Sequence, residues 1–251
     1  MINHLDRTNQ IVEVCLLAGK IMLQNGAETY RVEDTMMRIA ASFGIRESHS
    51  YVTPTGIIFS IDGTGPTKLI RIAERSTDLQ KVIIVNSISR KISSGELSLK
   101  EAYDMLKEVE TNRLAYPLWV QVAAAAIASG CFAIIFQGSW SDFLPALISG
   151  GGGFYCLDFV HRLVKIKFFA EFLASFIAGI LAMCFVAIGL GHDLDKIIIG
   201  SVMPLVPGIP ITNAVRDLMA GHLVAGLSKG AEAFLTAFAI GTGIALIFSI
   251  Y

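Results

Sequence analysis

Met203-Pro204-Leu205-Val206-Pro207-Gly208-Ile209-Pro210-Ile211-Thr212-Asn213 places three prolines three residues apart inside an apolar stretch, with a glycine beside the second. No unbroken helix accommodates it. Each proline lacks a backbone donor and its ring collides with the carbonyl four residues back, so several carbonyls must find other partners. In hydrocarbon such opened backbone is tolerated only where it is buried in protein or lines a wet cavity. If a membrane surrounds it, the stretch reads as the broken helix of a transporter, with its opened backbone on a substrate path.

The composition calls for that membrane. The chain has 251 residues, a net charge of -1, 53% hydrophobic residues and 16% charged ones, too apolar for an ordinary soluble domain. Residues 1–116 hold 14 of the 20 basic and 14 of the 21 acidic residues, so a balanced soluble part precedes a membrane part. Evenly mixed charge gives no basic face for phosphate, which excludes nucleic acid as a partner. Cys15, Cys131, Cys156 and Cys184 stand far apart, neither a disulfide framework nor a metal site, and no cofactor is expected. Asp6, Arg7, Glu13 and Lys20 interrupt the apolar start, against a signal peptide.

From the broken stretch outward, five spans are expected at about 117–136, 143–160, 168–190, 197–215 and 231–251, each near the roughly 20 residues that cross a bilayer. Five of the six basic residues after 116 (Arg162, Lys165, Lys167, Arg216 and Lys229) fall in the connectors of one side. Positive charge marks the cytoplasmic side. The expectation is therefore a cytoplasmic N-terminal domain, an outside C-terminus and a plasma (inner bacterial) membrane location. Residues 216–230 could lie on the membrane surface as an interfacial helix. Small residues at every fourth position, Ala170, Ala174, Ala178 and Ala182 and again Ala233, Ala237, Gly241, Ala245 and Ser249, suit close helix packing, within a subunit or in a homo-oligomer.

The part before residue 117 reads as a small α+β domain. Helical spacing runs from Leu5 to Leu23 and from Ala27 to Phe43, stopped by Asn25-Gly26 and Gly44. Glu28 with Arg31 and Asp34 with Arg38 are spaced for exposed charge pairs. Tyr51–Thr53, Ile57–Ile61 and Lys68–Ile72 read as strands around the turn Asp62–Pro66. Two further helices follow, at Asp78–Ile92 and from a Ser98/Glu101 capping box to about Val109. The domain has acids, His49 and hydroxyls but no ordered nucleophile motif or phosphate loop, so catalysis is not expected.

Candidate site residues follow from depth. Gly150, Gly151, Gly152 and Gly153 fall at the level of Pro207–Pro210 if both spans are centred, so two helices would lose regularity together at mid-membrane. A polyglycine run weakens a helix by about 1 kcal/mol per residue relative to alanine. The substrate-path candidates are thus Gly150–Gly153, Pro204, Pro207, Gly208, Pro210, Thr212 and Asn213; the competing reading is close helix crossing at the glycines and a plain proline kink. Asp158, Glu171, Asp217 and Glu232 are proton-coupling candidates, since ionisable groups in spans are functional by default. Asp158 and Glu171 could equally form ion pairs with Arg162, Lys165 or Lys167, and Asp217, Glu232 and His222 border the same side.

Gly26-Ala27-Glu28-Thr29-Tyr30-Arg31-Val32-Glu33-Asp34-Thr35-Met36, Pro54-Thr55-Gly56-Ile57, Ser89-Arg90 with Gly95, and Pro207-Gly208-Ile209-Pro210 running into Asn213-Ala214-Val215-Arg216-Asp217 resemble the threonine/serine exporter family over nearly the whole chain. The resemblance implies a bacterial secondary transporter driven by the proton gradient, exporting threonine and serine in fused forms, with some split forms associated with succinate. Fused relatives carry a second, smaller membrane half; this chain looks like the large subunit of a split pair, whose partner would be a small membrane subunit of four or five spans.

The reading is thus a polytopic α-helical membrane protein of five spans, one or two broken at mid-membrane, with an N-terminal cytoplasmic α+β domain, exporting a small polar substrate across the lipid bilayer. The alternative is a membrane-anchored cytoplasmic enzyme or sensor whose spans serve as anchor and oligomer interface.

Overall fold

A computed structural model describes residues 2–61, 67–112, 115–164 and 166–250, with side chains from Arg7 onward. The expected turn at Asp62–Pro66 and the expected cytoplasmic cation Lys165 lie outside the described residues. The polypeptide forms two compact units, Met1–Ala115 with Ile209–Gly230, and Tyr116–Gly208 with Ala231–Tyr251.

The first unit contains α1 (Ile2–Gln24), α2 (Thr29–Ser42), β1 (Ser48–Thr53), β2 (Gly56–Ile61), β3 (Lys68–Arg71), α3 (Leu79–Ser93) and α4 (Leu99–Thr111). The strands form one antiparallel sheet in the order β1-β2-β3, with Thr53 opposite Gly56 and Ile57 opposite Ile70. Alternation along β2 turns Ile57, Phe59 and Ile61 inward. There they join a core from α1 (Val14, Ile21, Met22), α2 (Val32, Met36, Ile39), α3 (Val85, Ile88) and Leu106 of α4. The Ser98–Glu101 capping box forms as spaced, and Asp78 accepts the backbone N–H groups of Gln80 and Lys81 at the start of α3.

The second unit is helical: α5 (Leu118–Ile135), α6 (Trp140–Val164), α7 (Lys167–Ala187), α8 (Leu194–Val202), a 3-10 turn at Met203–Leu205, and most of α10 (Leu223–Ile250), whose first residues belong to the first unit. Between the turn and α10 lies α9 (Gly208–Met219). Four helices, α5, α6, α7 and α10, are long and apolar enough to cross a membrane; α8 with its turn and α9 make a fifth only as a bent pair.

The three prolines sit where each is tolerated. Pro204 opens the 3-10 turn, Pro207 follows the extended Val206 (φ -61, ψ 129), and Pro210 lies in the first turn of α9, where helical donors lack partners anyway. The broken helix is therefore as read. The glycine run is different. Gly150–Gly153 lie inside an unbroken α6, so the expected second loss of regularity does not occur. A Cβ on Gly150 would come within 1.9 Å of Ser129 Oγ, one on Gly151 within 2.9 Å of Ala126 Cβ, and one on Gly153 within 3.0 Å of Ala178 Cβ. Their missing side chains let α5 and α7 approach α6 closely while its backbone ladder stays closed. Gly200 of α8 repeats the device, since a Cβ there would meet backbone atoms of Ser129 and Ala133 at 2.8 Å.

Two further expectations are corrected. Residues 216–230 form no separate interfacial helix: Arg216–Met219 complete α9 and α10 begins at Leu223. In α10 the buried face runs through Ala233, Thr236, Ile240, Gly243 and Ile247, not through Ala237, Gly241 and Ala245, which are exposed. Steps of four overshoot the 3.6-residue turn by about 40° each, so a strict fourth-residue row winds off the contact face. On α7 the row Ala170, Ala174, Ala178, Ala182 is wholly buried, because the adjacent row Glu171, Ser175, Gly179 is buried with it and together they form one broad face.

Helices α7 and α10 run side by side in the same direction, since Lys167 meets Glu232 at one end while Gly179 takes Ile247 further along. The intervening chain must therefore return before residue 232.

Candidate functional site

In the first unit the site starts at Gly26. With φ +93 it closes α1, and the Ala27 N–H bonds back to the Met22 carbonyl. Only a residue at ease in the left-handed region makes this turn without strain. The chain then enters α2 at once. Its N-cap is Glu28, whose side chain makes no capping bond. Asp217 of α9 takes that role: its Oδ1 accepts the Thr29 N–H at 2.8 Å and its Oδ2 accepts the Thr29 hydroxyl at 2.8 Å. A helix N-terminus carries unpaired donors and partial positive charge, so a carboxylate suits it. Lys229 completes the charge balance, donating to Asp217 Oδ2 at 2.8 Å and to Ala27 O and Thr29 Oγ1 at 3.2 Å. Three ammonium donors thus meet three acceptors. Asn213, one turn before Asp217 on the same helix face, donates to the Gly26 carbonyl at 2.8 Å. Asp217 is wholly buried and the Lys229 side chain is 9% exposed.

Two glutamates flank this pair. Glu28 bonds Arg216 and lies 3.1 Å from Arg31. Burial pushes its carboxyl up, but its own backbone N–H, Arg216 and Arg31 together outweigh that and hold it below the usual range. Glu33 accepts the Val52 N–H at 2.9 Å and lies 3.8 Å from His222. Burial dominates there and, with the Asp217 charge, keeps the carboxyl above the usual range despite Val52 and His222. One carboxyl is thus fixed as an anion and its neighbour, five residues on, is drawn toward the neutral acid.

The second unit holds another polar layer between α7 and α10. Lys167 and Glu232 pair at 2.8 Å. One turn along each helix, about 5.4 Å deeper, Glu171 sits against Thr236. Both are buried, at 6% and 2% exposure. Neither Glu171 Oε2 nor Thr236 Oγ1 makes a hydrogen bond of ordinary geometry among the described residues. Among the described residues His161 is a further ionisable neighbour.

The sequence-derived candidates thus separate. Gly150–Gly153 are packing positions of α6; Pro204 and Pro207 shape the break; Gly208, Pro210, Thr212 and Asn213 lie in α9. No heavy atom of a neighbour lies within 4 Å of the Cβ position of Gly208, so open space surrounds it. Asp158 forms the anticipated ion pair with Arg162, at 2.7 and 3.2 Å. Glu171 forms none with a described residue, Glu232 holds Lys167, and Asp217 joins Asn213 around the start of α2. Sequence reasoning missed Glu28, read as exposed, and Thr29, Lys229 and Thr236. The signal for the first two was their place in the Gly26–Met36 motif. Among the described residues no three His, Cys, Asp or Glu side chains gather as a metal would require.

Comparison with known proteins places the chain in a class of membrane exporters, not enzymes. The model of the threonine/serine exporter family ("Putative threonine/serine exporter") matches residues 13–251, and the chain belongs to that family. It is 23% identical over 235 residues to the "Probable threonine/serine exporter" of Mycobacterium tuberculosis, covering 92% of this chain but 44% of that protein. It is 24% identical to the "Probable succinate transporter subunit YjjP" of Klebsiella aerogenes and 23% to the Escherichia coli protein of that name, covering 96% and 98% of this chain and 95% and 96% of theirs. No solved structure matches.

Proposed function

We propose that this chain is the large subunit of a proton-coupled secondary exporter of small polar metabolites, threonine and serine or a succinate-like dicarboxylate, acting with a smaller membrane subunit. The observation that carries the reading is the break at Val206–Pro207. Opened backbone in an apolar stretch offers carbonyls and amides to a polar solute. The parallel run of α7 and α10 supports counting the bent pair as a fifth crossing. The excess of basic residues in the connectors of one side supports a cytoplasmic first unit and an outside C-terminus in a plasma membrane. Relatives named as transporter subunits, matched over 95% and 96% of their length, support a partner subunit.

The test is flux. Proteoliposomes holding this chain with its small partner subunit accumulate threonine, serine or succinate when a pH difference is imposed, and accumulation indifferent to that difference removes the coupling. Replacing Pro207, Gly208 and Pro210 together by alanine abolishes flux while membrane insertion persists; unchanged flux removes the break as the path.

A further inference from the structure

We infer that Glu171, set against Thr236 one helical turn inside the Lys167–Glu232 pair, is the carboxyl that takes up and releases the transported proton. This rests on the proton-coupled reading above and assigns its carrier.

The four carboxyls marked as proton-coupling candidates in the sequence, Asp158, Glu171, Asp217 and Glu232, are separated by their geometry. Asp217 is held by a backbone N–H, a hydroxyl and an ammonium, so protonation would discard three good contacts. Asp158 is clamped by Arg162 through two bonds. Glu232 has Lys167. Glu171 alone among them has no cation in contact and keeps a buried oxygen without a hydrogen-bond partner among the described residues. A buried oxygen in that state costs about 1–3 kcal/mol, more when charged, so neither protonation state is locked in. Its partner is suited to both. A hydroxyl donates to a carboxylate and accepts from a carboxylic acid simply by rotating its hydrogen. The Thr236 Oγ1 is likewise buried and unpartnered among the described residues, so a small shift between α7 and α10 closes a bond in either sense.

The surrounding charges give the proton a route. Lys167 on α7, Glu232 on α10 and His161 on α6 are the ionisable groups facing Glu171. Lys167 and Glu232 carry opposite charges and pair with each other at 2.8 Å, so neither is committed to Glu171. The Lys167 and Glu232 side chains are 41% and 26% exposed and so form the wet end of the layer. In the step itself the proton passes from water through this end to the Glu171 carboxylate, giving the neutral acid, and leaves to water when the site reopens; no other bond changes.

Two measurements keep this distinct from the proton-coupled reading. In infrared difference spectra of the purified protein in lipid bilayers across a pH series, taken in a Glu33→Gln background that removes the Glu33 carboxyl, one buried protonated-carboxyl band titrates; it vanishes in Glu171→Gln and shifts in Thr236→Val, while Asp158→Asn leaves it in place. A band that persists in Glu171→Gln overturns the assignment whatever the transport result. In proteoliposomes with the partner subunit, Glu171→Gln loses at least tenfold of pH-driven accumulation yet retains exchange of labelled for unlabelled substrate. Wild-type flux without pH dependence sinks the coupling reading; coupled flux in Glu171→Gln equal to wild type sinks only the carrier.

Discussion

Asp217 and Glu171 are both buried carboxyls at the ends of helices, and they are solved in opposite ways. Asp217 is surrounded by donors brought from α2 and α10, and every one of its contacts improves with its negative charge. Glu171 is surrounded by small side chains, Ala170, Ala174 and Ser175 among them, with one hydroxyl opposite. A fully paired charge holds its helices in one arrangement, whereas a poorly partnered one can change protonation with a small movement. The first region is built as a clasp between the Gly26–Glu28 turn and α9. On the proposed assignment the second is the one that alternates.

The largest expected effect tests the clasp. Removing one partner of a buried ion pair costs about 3–5 kcal/mol because the other charge is left buried. Asp217→Ala and Lys229→Met should each lower the unfolding free energy of the purified protein by about 3–5 kcal/mol, read from denaturation curves. The double variant should recover much of the loss, since no unpaired charge remains and the coupling shows as non-additivity. Strictly additive losses would mean the two residues do not act as a pair.

Glu171 predicts the opposite sign. Glu171→Leu removes a poorly satisfied buried oxygen and replaces it with apolar volume, so thermal stability should be unchanged or raised, by up to about 2 kcal/mol. A loss as deep as that of Asp217→Ala would erase the distinction between the two regions and show that Glu171 is held by contacts as strong as those of Asp217.

The sequence carries one half of this contrast better than the other. Local rules found the elements: alternating Ile57, Phe59 and Ile61, the Ser98–Glu101 box and the proline stretch act through neighbours only a few residues away. They marked Glu171 too, because an acid in an apolar run is conspicuous by itself. The clasp has no such signal. Thr29 and Asp217 are 188 residues apart, and Glu28, spaced with Arg31 like any exposed pair, is buried and bonded by Arg216 from α9. The glycine run misled for a related reason. Glycine weakens a helix locally, but Ser129, Ala126 and Ala178 fill the space above Gly150, Gly151 and Gly153, and that packing, which the sequence does not display, accompanies an unbroken α6.

The smallest effect repeats the contrast on the rim of the clasp, where Glu28 lies below and Glu33 above the usual carboxylate range. For Glu28 the folded state binds its proton more weakly than the unfolded chain. Its contribution is complete above the ordinary glutamate value and fades as pH falls through the lower, folded one. For Glu33 the folded state binds the proton more tightly, so stability falls as pH rises from the ordinary value through the raised one, and ionised Glu33 is a fixed cost beyond it. Denaturation of Glu28→Gln at a series of pH values should therefore show a deficit against wild type at neutral pH that closes in acid. Glu33→Gln should show a relative gain that opens as pH rises from the ordinary glutamate value through the raised one. Because Val52 donates to either a carboxylate or an amide oxygen, that gain isolates the charge rather than the hydrogen bond. If both variants shift in the same direction, Glu28 and Glu33 titrate as one site, and the clasp extends to Glu33 through His222 instead of ending at Arg216.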